Sequence, residues 1–176
     1  MGFWVRGSVA TLCVVDGLGH GPEAEQAAKQ IVGYVGLNLD LPLEILLAGA
    51  NEAARDTRGA ALGLVFVNRK EGSLTHVGIG NTRGILLDTG SGSVKSLQST
   101  NGIVGAGYQK LRPETMDFKT RDLLFLYTDG FPVSVDVISQ DIGEDDPEEV
   151  ANEFMQRYSL NTDDAAVLVA RLEIQR

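Results

Sequence analysis

Val14-Val15-Asp16-Gly17-Leu18-Gly19-His20-Gly21 carries an apolar run into a carboxylate and then into a loop with a glycine at every second position. The run over residues 10–15 is short, rich in β-branched residues and stopped by glycine, which predicts a buried strand. Asp16 then stands at the rim of a core. Pro22 pre-sets the backbone for a helix start, and Glu23 and Glu25 suit the positive end of a helix that continues through Ala24, Ala27, Ala28 and Ile31. Strand, acid, glycine loop and helix form one unit.

Most phosphate chemistries fail against this unit on a single residue. A dinucleotide fingerprint needs a small residue three places after Gly19, where Pro22 stands, and Asp16 would repel a pyrophosphate. A nucleotide-hydrolase phosphate loop ends in Gly-Lys followed by Ser or Thr, and no such ending occurs. A cysteine phosphatase needs Arg six places after Cys13, which is Gly19. A phosphoaspartate-forming phosphatase needs a second Asp two places after the first, which is Leu18. What survives is an acid that holds a metal.

Two further acidic sites share the setting. Asp122-Leu123-Leu124-Phe125-Leu126-Tyr127-Thr128-Asp129-Gly130 is a second apolar strand ending in Asp-Gly, and Asn161-Thr162-Asp163-Asp164 leads into a third apolar run, Ala165-Ala166-Val167-Leu168-Val169-Ala170. Carboxylates gathered at strand ends repel one another unless a cation compensates them. A hard divalent ion removes that cost.

Around these strands the pattern predicts helices over residues 22–37 and 43–56, with Ile45, Leu46, Ala50, Ala53 and Ala54 on the buried stripe of the second. Residues 60–68, 72–79 and 83–88 read as strands broken by Gly72 and Gly80-Asn81, and consecutive hairpins predict an antiparallel sheet. The glycine-rich stretch 101–107 fits neither element and reads as a loop. Pro147 with Glu148 and Glu149 opens a last helix over 147–158. Strands in runs, with helices in two groups, predict a packed-layer α+β domain.

The 176 residues allow one domain, 1–176, with a core of its own, and 43% apolar content supports a globular chain. A net charge of −9 argues against nucleic acid and against an anionic membrane as partners. One cysteine permits no internal disulfide, no apolar run reaches membrane-spanning length, and the first residues show no signal pattern, so a cytoplasmic location is expected.

The three acidic motifs, Val15 to Gly21, Tyr127 to Gly130 and Thr162 to Val169, resemble those of the metal-dependent serine/threonine phosphatase (PPM) superfamily. Within it the bacterial SpoIIE/RsbU/RsbX branch is nearest, and Thr57-Arg58-Gly59-Ala60-Ala61 and Val77-Gly78-Ile79-Gly80-Asn81-Thr82-Arg83 are most similar to the RsbX-type stressosome phosphatase. The resemblance runs from about Phe3 to the end of the chain. It implies a four-layer α-β-β-α sandwich, two antiparallel sheets face to face with helices outside and metals at one end. It implies Mn²⁺ or Mg²⁺ as cofactor, two ions about 3.5–4 Å apart whose shared water attacks phosphorus. Asp16 would bridge the ions, the Gly17 carbonyl would hold one, and Asp129 and Asp163 the other. Asp164 would orient its neighbours. His20 reads either as a turn residue or as a proton donor or supporting group. In this family an Asp commonly precedes the first strand, at a place matching Met1 or earlier, so the resemblance implies an upstream start or one metal-site group fewer. The 101–107 loop would flank the substrate cleft. Arg58 and Arg83 are candidates to meet a phosphate, His76 and Cys13 core residues.

The function implied is dephosphorylation of sulfate-transporter/anti-sigma-antagonist (STAS) domain proteins of a stress-signalling complex. Two other readings stay open from the residues: a catalytically idle binding module of the same fold, and a hydrolase of small phosphoesters.

Overall fold

In the computed structural model, which describes residues 1–132, 135, 146–160 and 164–175, strand β2 (Val9–Gly17) is sheathed on both faces. Ala10, Leu12 and Val14 enter one apolar cluster with Val65, Val67, Leu86, Leu124 and Leu126, whereas Cys13 and Val15 enter another with Ile31, Val35, Leu46 and Leu64. A strand buried on both sides reads as an unbroken apolar run.

Strand β2 lies between β1 (Gly2–Arg6) and β3 (Ala60–Asn68), and the sheet continues through β4 (Ser73–Ile79) to β10 (Glu114–Asp117), with the short β7 (Ser99–Thr100) parallel to β4. The second sheet runs β12 (Val167–Arg171), β11 (Leu123–Tyr127), β5 (Arg83–Leu87), β6 (Val94–Leu97), antiparallel throughout. Helices α1 (Pro22–Leu37) and α2 (Leu43–Ala53) cover the outer face of the first sheet. Helix α3 (Pro147–Tyr158) covers that of the second, where Phe154 meets Phe125, Tyr127, Phe131 and Tyr158 at ring separations of 5.4, 5.4, 5.0 and 5.2 Å. One apolar cluster fills each of the three interlayer spaces, which makes the α-β-β-α sandwich that the family resemblance implied.

Three local expectations change. The strands read at 72–79 and 83–88 do not form a hairpin: β4 pairs with β3 and β10, while β5 crosses to the other sheet and pairs with β11. The turn at Gly80 and Asn81 is thus the passage between layers. On α2, Ile45 is 56% exposed and Ala53 is also exposed, and the buried stripe is Leu46, Leu47, Ala50 and Ala54. Adjacent apolar residues at 45–47 leave the helical phase ambiguous, and packing against α1 resolves it; Gly49 leaves room for the Tyr34 hydroxyl there. Finally, stretch 101–107 and the residue after it form two short paired strands, β8 (Gly102–Ile103) and β9 (Gly107–Tyr108), and Val104 exchanges backbone hydrogen bonds of 2.9 Å with Ala60 in both directions.

Cys13 and His76 are core residues, both 0% exposed. Burial pushes the Cys13 thiol up to about 12. His76 has both ring nitrogens buried without a hydrogen-bond partner among the described residues, and desolvation lowers its pKa to about 4. The folded chain therefore resists protonation of His76 where the unfolded chain, at about 6.5, accepts it. The stability this preserves is whole above pH 6.5 and is lost as pH falls toward 4, by about 3 kcal/mol in all. Denaturant titrations of the parent and of His76→Leu across that window should differ in slope with pH; parallel curves would show that His76 does not carry the effect.

Candidate metal centre

Asp16 and Gly17 close strand β2, in register with Ala61 and Ala60 of β3. By alternation Asp16 shares the face of Leu12 and Val14, so its carboxylate sits at the end of the space between the sheets. Gly17 is required there because any Cβ would overlap the Ala24 carbonyl of α1. Gly19 and Gly21, each with φ of 82°, turn the loop through backbone conformations that favour glycine. The Leu18 amide donates to the Gly59 carbonyl at 3.0 Å and ties the loop to the start of β3.

The second sheet ends at the same place. Beyond β11, the Thr128 amide donates to the Ala166 carbonyl at 3.1 Å, and the Ala166 amide donates to Thr128 Oγ1 at 3.0 Å. A side chain at Gly130 would overlap Asp164 and Ala165, so glycine lets the two segments lie side by side. Asp129 and Asp164 are thereby carried to Asp16. All three line one open cleft of about 520 Å³, together with Gly17, Gly19, His20 and Asn81. Asn101, Gly102 and Ile103 form another part of its wall. A separate groove of about 440 Å³, lined by Phe3, Leu12, Leu168 and Ala170 among others, is mainly apolar and lacks such a group of acids.

Of the residues expected from sequence, the structure brings Asp16, Gly17, His20, Asp129 and Asp164 together; Asp163 lies outside the described residues. Asn81 was not among them: its Nδ2 donates to Asp129 Oδ2 across the gap between the sheets. The only signal for it was the Gly80-Asn81 break after an apolar strand. Arg83 does not face the cleft as a free cation: its Nη1 donates to the Phe131 carbonyl at 2.7 Å and the Pro132 carbonyl at 3.3 Å, anchoring the chain just after Asp129.

The donor set is carboxylate oxygen, with the Gly17 backbone oxygen as a further candidate. Among the described residues no three Asp, Glu, His or Cys side chains form a closed ligand group. An oxygen-lined, open site of this kind fits Mg²⁺ or Mn²⁺, since such ions bind through one or two carboxylates and keep several waters. It does not fit a closed tetrahedral nitrogen and sulfur site.

The family model of the Stage II sporulation protein E (SpoIIE) matches residues 7–173. The chain belongs to the SpoIIE family. The phosphoserine phosphatase RsbX of Bacillus subtilis (strain 168) is 25% identical over 159 residues, covering 90% of this chain and 79% of that protein. A solved structure from work on the bacterial stressosome, a modular system adapted to control secondary messenger signaling, superposes with a TM-score of 0.86 at 26% identity, over 96% of this chain and 88% of the other. Crystalline RsbX in complex with magnesium gives 0.82 at 23% identity over 97% and 85% of the two chains. The phosphatase domain and a regulatory fragment of SpoIIE from Bacillus subtilis give 0.78 at 19% identity, over 97% of this chain and 57% of that one. With this membership the chain is a protein phosphatase.

In this SpoIIE-family chain Asn81 has a definable task, to hold the Asp129 carboxylate in one orientation. Where an oriented carboxylate holds a metal, as proposed below for Asp129, the orienting group contributes about 10–100-fold in metal affinity or activity. Asn81→Ala should therefore raise the Mn²⁺ concentration needed for half-maximal turnover by about tenfold or more. An unchanged metal requirement would reduce the contact to a surface hydrogen bond.

Proposed function

We propose that the chain is a metal-dependent serine/threonine phosphatase that removes phosphate from STAS-domain proteins of a stressosome-like complex. The observation that carries this reading is the convergence of Asp16, Asp129 and Asp164, from the ends of three strands in two sheets, on a single open cleft. Similarity to RsbX, a phosphoserine phosphatase, and to a structure from the stressosome supports the substrate class; the magnesium bound by crystalline RsbX supports the cofactor.

Asp16 with the Gly17 carbonyl, and Asp129 with Asp163, are the groups assigned to hold two divalent ions. When bound, such ions supply an acidified water as nucleophile and neutralise charge on the phosphoryl group. The residues around them do the rest. Asn81 fixes Asp129, and Asp164, which lines the same cleft, is the group assigned to orient the neighbouring ligands. Among the described residues no Ser, Thr or Cys lines the cleft, and Cys13 is sealed in the core, so no hydroxyl or thiol there is placed to carry a phosphoryl group.

The cleft opens at the strand ends, and the surface contacts of a phosphorylated folded partner would fall outside it. Binding energy from those contacts favours the intact partner over fragments. Catalytic efficiency on a phosphorylated STAS domain should exceed that on a phosphopeptide of the same local sequence by at least about tenfold. Equal efficiency would favour a general phosphoesterase, and the absence of turnover on both would favour an idle binding module.

A further inference from the structure

A cleft built from carboxylates in a chain of net charge −9 has to admit a dianionic phosphate, and among the described residues no Lys or Arg lines it. Arg58 stands at its edge. The turn that carries Arg58 is fixed: Thr57 Oγ1 donates to the Ala54 carbonyl at 2.6 Å, and the Gly59 amide donates to Thr57 Oγ1 at 3.0 Å. Gly59 has φ of 77° and is packed against Ile103 and Val104, so no other residue fits there without strain. Its carbonyl accepts from Leu18 of the acidic loop. From this base the guanidinium reaches across the loop, with Nη1 only 2.7 Å from where a Gly19 Cβ would stand.

The side chain is half exposed and pairs through Nη2 with Glu23, in the first turn of α1. A guanidinium offers a planar fork of donors that matches phosphate as well as carboxylate. An exposed ion pair of this kind adds little to stability, so exchanging Glu23 for a phosphate costs little. Arg83, the other arginine near the cleft, is committed to the carbonyls of Phe131 and Pro132.

We infer that Arg58 binds the substrate phosphate at the mouth of the cleft, and that Glu23 competes with the phosphate for it. This rests on the phosphatase reading above. The alternative role is a plain clamp holding the 17–21 loop to α1, and the two roles give opposite signs at the two ends of one ion pair. In the clamp, Arg58→Ala and Glu23→Gln do the same harm. In the competition, Arg58→Ala weakens phosphate binding whereas Glu23→Gln strengthens it.

Calorimetric titration of inorganic phosphate into the Mg²⁺-loaded protein reads this without turnover. Arg58→Ala should weaken binding roughly ten- to a hundredfold, Arg58→Lys should recover part of the loss, and Glu23→Gln should tighten binding severalfold. In parallel hydrolysis of p-nitrophenyl phosphate, KM should follow the same order while kcat changes little. Phosphate affinity unmoved by Arg58→Ala, or moved in the same direction by both substitutions, overturns the inference even if hydrolysis is normal. Phosphate binding that follows Arg58 in a protein without metal-stimulated hydrolysis would instead overturn the phosphatase reading and leave the Arg58 site standing.

Discussion

Asp16→Asn is expected to lower phosphatase turnover by about 10²–10⁴-fold while leaving the fold intact, because in the proposed function Asp16 holds a metal ion, and such a carboxylate supports several kcal/mol of charge stabilisation in the transition state. The amide keeps the shape of the side chain at the end of β2 and removes the charge. It also removes one member of a group of like charges, Asp16, Asp129 and Asp164 lining one cleft, so the metal-free variant should melt at or above the parent temperature. Asp129→Asn should behave the same way. The pairing of lost activity with retained or increased stability distinguishes this outcome from simple misfolding, and thermal melts beside turnover assays at saturating Mn²⁺ record both. Near-parental turnover in either variant would remove that residue from the proposed metal site. His20→Ala serves as the internal control: His20 is exposed on the same loop, and its loss should cost far less. A loss equal to that of Asp16→Asn would make His20 part of the reacting constellation.

Chelation is expected to abolish hydrolysis altogether, and restoring Mg²⁺ or Mn²⁺ should recover it. The same ions should raise the melting temperature, since a ligand that binds only the folded chain stabilises it by mass action. At a hundred times the dissociation constant this amounts to about 2.7 kcal/mol, or roughly 5–10 °C for a chain of this size. The stabilisation should be much smaller in Asp16→Asn, which ties it to the cleft and not to general screening of the acidic surface. Full activity in excess chelator would eliminate the metal mechanism. A melting temperature raised equally in parent and variant would place the ions elsewhere.

What the sequence determined by itself is local. Helices expected at 22–37 and 147–158 are the observed Pro22–Leu37 and Pro147–Tyr158, because a proline with acidic residues in the first turn defines a helix start through a few neighbouring bonds, such as that from the Glu148 amide to Asp146 Oδ1 at 2.9 Å. The strand at 60–68 is likewise Ala60–Asn68. The acids at strand ends were visible for the same reason, since an apolar run, a carboxylate and a glycine are contiguous in the chain.

Only tertiary structure decided which strands share a sheet and which side chains meet. A strand buried on both faces loses the alternation that would reveal its inward side, so nothing in residues 83–87 announces that β5 leaves its neighbour β4 and joins β11. The phase of α2 was set by contact with α1, since Ile45, Leu46 and Leu47 are equally apolar. Asn81 and Asp129 are 48 residues apart, and the hydrogen bond between them exists because two sheets stack with their strand ends at one level. Arg58 and Arg83 look alike as exposed cations in the sequence. The fold gives Arg83 two carbonyls to hold and leaves Arg58 at the mouth of the cleft with Glu23, a distinction that depends on packing over distances no local pattern records.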